Sequence, residues 1–343
     1  MWIGIVVSVL ALFLAARGVS WREVGNELRG ASYVWLVPAV AAVVFGQIAR
    51  ALRWRAMFGL GPRPTLPSAF AILSVGYLIN TVLPLRLGDF VRAWLVGATT
   101  PAGASEGLAT IVLERIVDLL TIVGLVALLV PGPTAGLLAQ LPGVGPWVGD
   151  PRLVQAAVVS FVVAVYLALI LLAVLAEPAR RFVERALGRV GMAAERARNL
   201  SGAVGRFLTS LGALRRPRTA LLVAGWSIVV WLIGGLQVWT VMQAFHMDAT
   251  FLAAMFVLGA TALWAILPSS PGYIGVFQFA IRTSLPVVVP AVAVERAFSF
   301  ATVLQAVTIV TLIVLGIIGL FMLGMSFGDL MRRAGAGQAT ADL

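Results

Sequence analysis

The chain has no cysteine, no lysine and one histidine among its 343 residues, and charged residues make up 11% of it. Each absence removes a class of chemistry. Without Cys there are no disulfides, thiolate nucleophiles or Cys-ligated metals. Without Lys there is no Walker A lysine, so no P-loop ATPase is encoded. The lone His246 lies in a short connection beside Asp248, and one His does not make a zinc site. No metal and no cofactor are expected. What remains is apolar: 61% hydrophobic, with a mean hydropathy of +1.01. A soluble domain carries about 25% charged residues, so the composition is that of a polytopic, all-α membrane protein. All 25 basic residues are Arg, and they outnumber the acids to give a net charge of +11. They fall mainly between hydrophobic segments, as the positive-inside rule expects, and nucleic acid is not an expected partner.

A spanning helix needs about 20 apolar residues. The candidate segments are roughly 2–16, 33–49, 66–83, 88–104, 108–130, 153–175, 219–243, 251–267, 276–292 and 297–325. Residues 50–63 hold Arg50, Arg53, Arg55 and Arg63 with no acid and read as cytoplasmic. The Pro/Gly-rich stretch 131–152 reads as external. The stretch 177–218, with ten Arg against Glu177, Glu184 and Glu195, reads as a basic cytoplasmic segment. Within it Phe207, Leu211 and Leu214 fall on one helical face, which suits an amphipathic helix on the inner leaflet or a plain cytoplasmic anchor. Both termini are expected in the cytoplasm, and residues 1–343 are expected to form a single transmembrane domain.

Two polar interruptions sit in matching places. The first is Leu83-Pro84-Leu85-Arg86-Leu87-Gly88-Asp89, followed by Arg92; the second runs from Leu267 and Pro268 through Ser269, Ser270, Pro271, Gly272, Tyr273 and Ile274 to Gly275. A Glu-Arg pair follows each: Pro84 to Glu114 is 30 positions and Pro268 to Glu295 is 27. Breaks at corresponding positions of two halves point to a transporter site, and a break frees backbone groups that lipid cannot satisfy. The fold expected is an inverted repeat of helix–broken hairpin–helix units, the first over about 33–130 and the second over about 219–325, with 153–175 connecting them. Each hairpin is either two full spans or a re-entrant pair.

The chemistry at the two breaks differs. Two Arg with one carboxylate, Arg86 and Arg92 with Asp89, leave a positive charge that suits a phosphate. Pro84 and Gly88 permit the turn, and Asp89 suits the positive end of the helix that follows. Glu114 and Asp118 are four apart on one helix face, where like charges repel, so a positive partner is expected between them: Arg50, Arg53 or Arg86, or else a proton or bound cation. The second break carries no charge; Ser269, Ser270, Tyr273 and Gln278 supply neutral hydrogen bonds. There Pro271-Gly272 and Gly275 would let backbone N–H groups face an anion.

Taken together, Arg53-Trp54, Pro84 through Asp89 with Arg92, Glu114-Arg115-Ile116-Val117-Asp118 and Pro268 through Gly275 resemble a known family. It is the flippase-like transmembrane family typified by the membrane region of lysylphosphatidylglycerol synthases. The matching pieces span residues 50–296. This chain has Asp89 and Gln278 where members commonly carry Glu. The resemblance implies lipid translocation rather than lipid aminoacylation, because 18 residues follow the last candidate span. The function expected is movement of an anionic phospholipid or a polyprenyl-phosphate-linked lipid between leaflets of a bacterial or archaeal inner membrane. Arg86 and Arg92, with Arg53 and Arg115, would hold the phosphate, and Asp89, Glu114 and Asp118 would balance them in the empty site. Two rival readings are a membrane glycosyl- or prenyl-phosphate transferase using Glu114 and Asp118, and a non-transporting partner of a lipid synthase docking through 177–218.

Overall fold

The computed structural model describes residues 2–58, 63–83, 87–130, 150–175, 216–265, 269–330 and 332. Among these every regular element is helical. In order they are α1 (Trp2–Ala16), α2 (Trp21–Gly30), a 3₁₀ turn (Tyr33–Trp35), α3 (Leu36–Met57), α4 (Leu66–Val82), α5 (Leu87–Thr99), α6 (Ala104–Leu129) and α7 (Pro151–Val174). There follow α8 (Pro217–Ala244), α9 (Phe251–Trp264), a 3₁₀ turn (Pro271–Tyr273), α10 (Val276–Val288) and α11 (Val294–Met322). By length and composition, three stretches among the described residues can cross a membrane: Tyr33–Met57, Pro217–Ala244 and Val294–Met322. The pair α1 and α2, bent by 82° at the short break between them, makes a fourth if counted as one span.

Local sequence explains the helix starts. Thr65 caps α4, its hydroxyl accepting the Ser68 N–H at 3.3 Å, and Pro67 stands in the first turn, where a missing N–H costs nothing. Thr250 caps α9 the same way, accepting the Ala253 N–H at 3.2 Å. Each hairpin's first arm thus opens on a capping threonine.

Two apolar cores hold the fold. One gathers Trp54, Ile72, Leu73, Ile79, Leu95 and Leu113 from α3–α6; the other gathers Val241, Phe245, Val257, Ile281, Phe300 and Leu304 from α8–α11. The central α3 and α8 pack extensively on each other, and α4 packs along α11. The packing is matched between the halves. Contacts of α3 with α4, α4 with α5, α5 with α6 and α3 with α6 have counterparts in α8 with α9, α9 with α10, α10 with α11 and α8 with α11. Across the halves, α4 with α11 is answered by α9 with α6, and α3 with α11 by α8 with α6. Large apolar side chains such as Phe13, Val37, Phe45, Leu221 and Phe321 stay exposed on the outer faces, as a lipid-facing surface requires.

Several expected boundaries move. The helix expected over 33–49 continues to Met57, so Arg50, Arg53 and Arg55 lie on its last turns and not in a connection. Arg, Ala and Leu are good helix formers, and Arg53 finds buried carboxylates there. The connection 17–32 contains the amphipathic α2, which docks on the start of α11. Glu27 takes a bidentate pair from Arg296 at 2.8 and 3.0 Å, and Glu295 accepts the Ser20 N–H at 3.1 Å. The arms expected over 88–104 and 276–292 end earlier, at Thr99 and Val288. Residues 177–215 of the basic segment lie outside the described residues.

Candidate functional site

Glu114 is fully buried on α6, and burying a lone carboxylate is costly. Its two oxygens meet two arginines: Oε1 accepts from Arg53 Nη2 at 3.0 Å and Oε2 from Arg92 Nη2 at 2.6 Å. Arg53, from α3, also grips Asp118, one turn along α6, with both terminal nitrogens; Nη2 to Oδ2 is 3.2 Å. It reaches Ser227 of α8 at 3.4 Å. Arg53 is thus the cation expected between Glu114 and Asp118. Arg92 lies over the Trp54 ring at 4.6 Å, and the Trp54 indole donates to Thr110 at 3.1 Å. Asp89, on the second turn-forming arm, accepts from Arg115 Nη2 at 2.9 Å. Three arginines therefore face three carboxylates, and the network ties α3, α5, α6 and α8 together.

At the same break Gly88 brings α5 against α4. Its N–H donates to Asn80 Oδ1 at 2.8 Å, and a Cβ at Gly88 would strike the Gly76 carbonyl. Pro84, Leu85 and Arg86 lie outside the described residues, as do Ile266, Leu267 and Pro268 of the second break.

The second break is built from neutral groups. Gly272 and Gly275 hold φ of +66° and +90°, a region glycine enters without strain. The Gly275 N–H donates to Gln278 Oε1 at 2.7 Å, Gln278 Nε2 donates to Gln305 Oε1 at 2.5 Å, and Gln305 Nε2 donates to the Gly272 carbonyl at 2.7 Å. Ser270 N–H donates to Ser8 of α1 at 2.7 Å, and its hydroxyl to the Ile274 carbonyl at 3.2 Å. The α1 backbone also runs against Ser269 and Gly275. The Gly275 N–H, expected to face an anion, is instead taken by the Gln278 side chain, and the Ser270 N–H is taken by Ser8.

The two breaks match position for position. Asp89 is the third residue of α5 and Arg115 the twelfth of α6; Gln278 is the third of α10 and Gln305 the twelfth of α11. An ion pair in the first half stands where an amide pair stands in the second. The Glu-Arg motifs that suggested the repeat in sequence are out of register with this match. Glu295 and Arg296 lie in the first turn of α11, whereas Glu114 and Arg115 lie three turns into α6. The residues aligned with Glu114 and Arg115 are Leu304 and Gln305.

Between the halves lies a cavity of ≈ 260 Å³, walled by α3, α4, α6, α8, α10, α11 and the Pro271–Tyr273 turn. Its charged lining is Arg50 and Arg115, with no carboxylate; its polar lining includes Gln47, Tyr77, Asn80, Gln237, Gln305 and Thr308. Arg50 lies over the Tyr77 ring at 5.8 Å and, among the described residues, has no carboxylate partner. Arg115 is 36% exposed while Arg53 and Glu114 are fully buried, so Arg115 is where the ion network opens to the cavity. Its Nε has no hydrogen-bond partner.

Of the residues singled out in the sequence, Arg50, Arg115, Gly272 and Tyr273 line this cavity. Asp89 and Gln278 each hold a residue that does. Arg53, Arg92 and Glu114 are buried behind it, and Asp118 pairs with Arg53. Arg53 and Arg92 were expected at the phosphate; their terminal N–H groups face carboxylates because a buried guanidinium needs a counter-charge. Sequence reading missed Gln47, Tyr77, Asn80, Gln237, Gln305 and Thr308. The available signal was an amide inside an apolar run, which is costly unless it has a partner or a wet cavity.

The comparisons with known proteins agree with the resemblance seen in the motifs. The chain is 28% identical over 327 residues to "Glycosyltransferase AglD" of Haloferax volcanii, covering 90% of this chain and 52% of that protein. It therefore spans about half the length of that relative. It is 26% identical over 316 residues to a "UPF0104 membrane protein" of Methanothermobacter thermautotrophicus, covering 86% of this chain and 90% of that one. No solved structure matches. The model of the lysylphosphatidylglycerol synthase transmembrane region matches residues 1–321, and the chain belongs to that family of multi-pass membrane proteins.

Proposed function

We propose that this protein is a lipid translocase that moves an anionic lipid between membrane leaflets through the cavity between its halves. The observation that carries this reading is the cavity's lining: two arginines, no carboxylate, and the turn of the second break in its wall. A lipid phosphate entering from the side would meet Arg50 and Arg115 while its tails remain in the bilayer. Arg86, from the first break, is a further proposed phosphate contact. Asp89 would hold Arg115 when no lipid is bound. Arg53, Arg92, Glu114 and Asp118 would fix the helices that carry the site.

The reading includes an inverted repeat of re-entrant hairpins within one transmembrane unit, both termini cytoplasmic, in a bacterial or archaeal cell membrane. The matched helix packing and the matched positions of Asp89–Arg115 and Gln278–Gln305 support the repeat. Arm lengths support re-entrance. The arms hold 17, 13, 14 and 13 residues. At 1.5 Å per residue they reach about 20–26 Å, short of a hydrocarbon core of about 30 Å.

The test is leaflet exchange of fluorescent lipids in liposomes holding the purified protein. Exchange of anionic lipids, lost in Arg50→Ala and Arg115→Ala protein that remains folded, is the expected result. Undiminished exchange in both variants would remove the cavity from the mechanism.

A second reading follows from the name of the Haloferax volcanii relative: a membrane enzyme transferring a sugar from a lipid-phosphate donor. Glu114 and Asp118 are its best carboxylate pair, and both are bonded to Arg53. Sugar transfer by the purified protein, lost in Asp118→Asn, would favour it. A role as a non-transporting partner of a lipid synthase would instead show as function that depends on 177–218 and not on the cavity.

A further inference from the structure

The cavity has more to bind with than its two charges. Gln47 is fully buried, lines the cavity, and its Oε1 has no hydrogen-bond partner although its Nε2 donates to Ser74 at 3.3 Å. A buried acceptor left alone is costly, so it calls for a donor from whatever occupies the space. Gln237, on the opposite wall, uses its Nε2 on Thr308 at 2.7 Å, which leaves its carbonyl for the cavity. Much of the remaining polar lining is occupied: Gln305 and Asn80 hold the breaks, Thr81 donates to the Tyr77 carbonyl at 2.8 Å and Thr308 to the Leu304 carbonyl at 2.8 Å. The unfilled capacity therefore includes cationic N–H donors on Arg50 and Arg115, and neutral acceptors on Gln47 and Gln237.

Two chemistries supply donors to such acceptors: hydroxyls and ammonium groups. An ammonium would share the cavity with two guanidinium groups and meet no carboxylate there. Bringing a charge out of water needs a counter-charge, and this lining has none to offer it. Hydroxyls carry no such cost. The volume of ≈ 260 Å³ is large enough to take a lipid headgroup.

We infer that the cavity selects a phosphate-linked polyol headgroup, such as glycerol, inositol or a sugar, and rejects amine-bearing headgroups, including aminoacylated ones. This rests on the translocase reading and narrows its substrate. The phosphate meets Arg50 and Arg115, and the hydroxyls meet the carbonyls of Gln47 and Gln237. The same headgroup chemistry could be carried on a diacylglycerol or on a polyprenyl chain.

The test reconstitutes the full chain in liposomes and compares tail-labelled phosphatidylglycerol, phosphatidylinositol and a polyprenyl-phosphate hexose with phosphatidylethanolamine and lysylphosphatidylglycerol. Exchange of at least one hydroxylated anion about tenfold faster than either amine-bearing lipid is expected, and the diacyl and polyprenyl arms then identify the carrier. Amine-bearing lipids that keep pace would overturn the selectivity while leaving the translocase reading standing. No exchange of any lipid would overturn both. Thermal stabilisation in detergent by the same lipids gives a second readout, independent of transport, and is expected to follow the same order. Gln47→Leu and Gln237→Leu are each expected to lower the ratio of phosphatidylglycerol to phosphatidic acid exchange about tenfold. An unchanged ratio in both would show that the amides do not read the hydroxyls.

Discussion

The two broken hairpins occupy equivalent places in the packing, yet one is held by charge and the other by amides. In the first, Arg53 and Arg92 converge on Glu114, and Arg115 holds Asp89. In the second, Gln278, Gln305 and the Gly272 carbonyl form a chain without charge. Arg115 of the ionic break is shared between Asp89 and the cavity, so under the proposed function an incoming anion would compete with Asp89 for it. The amide break closes its own backbone groups and is braced by α1. The first break keeps a charged group at the cavity, and the second closes on neutral ones.

The sharpest way to break this comparison is to remove the centre of each network. Glu114→Ala removes the buried carboxylate that Arg53 and Arg92 share, leaving Arg53 with Asp118 alone and Arg92 with Asp89 at 3.7 Å, and is expected to cost about 3–5 kcal/mol. Gln305→Leu leaves amide and carbonyl groups unpaired and is expected to cost about 1–3 kcal/mol. Thermal unfolding of both variants in detergent orders them, and equal losses would mean that the ion network contributes no more than the amides.

Next in size is close backbone packing. Gly275→Ala must fit a Cβ against the Ser8 carbonyl at a positive φ, and Gly88→Ala against the Gly76 carbonyl at a φ outside that region. Each is expected to cost about 1–3 kcal/mol, with Gly275→Ala the greater, by the same measurement.

A smaller effect sharpens the matched positions. A double-mutant cycle on Asp89→Asn and Arg115→Gln is expected to give a coupling of about 0.5–3 kcal/mol. The double variant, which writes the second half's chemistry into the first, should keep its fold and lose exchange of anionic lipid. Retained exchange would show that the charge difference between the halves has no role in transport.

The smallest effect is expected at Arg296→Gln. Its pair with Glu27 is bidentate, but the arginine side chain is 41% exposed, and exposed pairs contribute about 0–1 kcal/mol. A larger drop in thermal stability would mean that α2 supports the second break more than its packing suggests.

The sequence by itself determined the membrane class, the helical fold, the order of the long apolar segments and the two breaks. Hydrophobic run length and Pro/Gly interruption are local properties, legible one segment at a time. It also called for a positive partner beside Glu114 and Asp118, with Arg53 one of three candidate arginines, because like charges on one helix face repel. The Glu-Arg pairs, at similar distances from the breaks in sequence, sit at different depths in their helices. Only the tertiary structure decided which arginines are balanced and which face open space. Arg50 and Arg53 are three positions apart on one helix, and one reaches a cavity while the other is buried against two carboxylates. That division depends on how α3 is rotated against α6 and α8, which is set by packing across the whole molecule and by no local pattern. The cavity is likewise a product of assembly, since its walls come from segments more than two hundred residues apart in the chain.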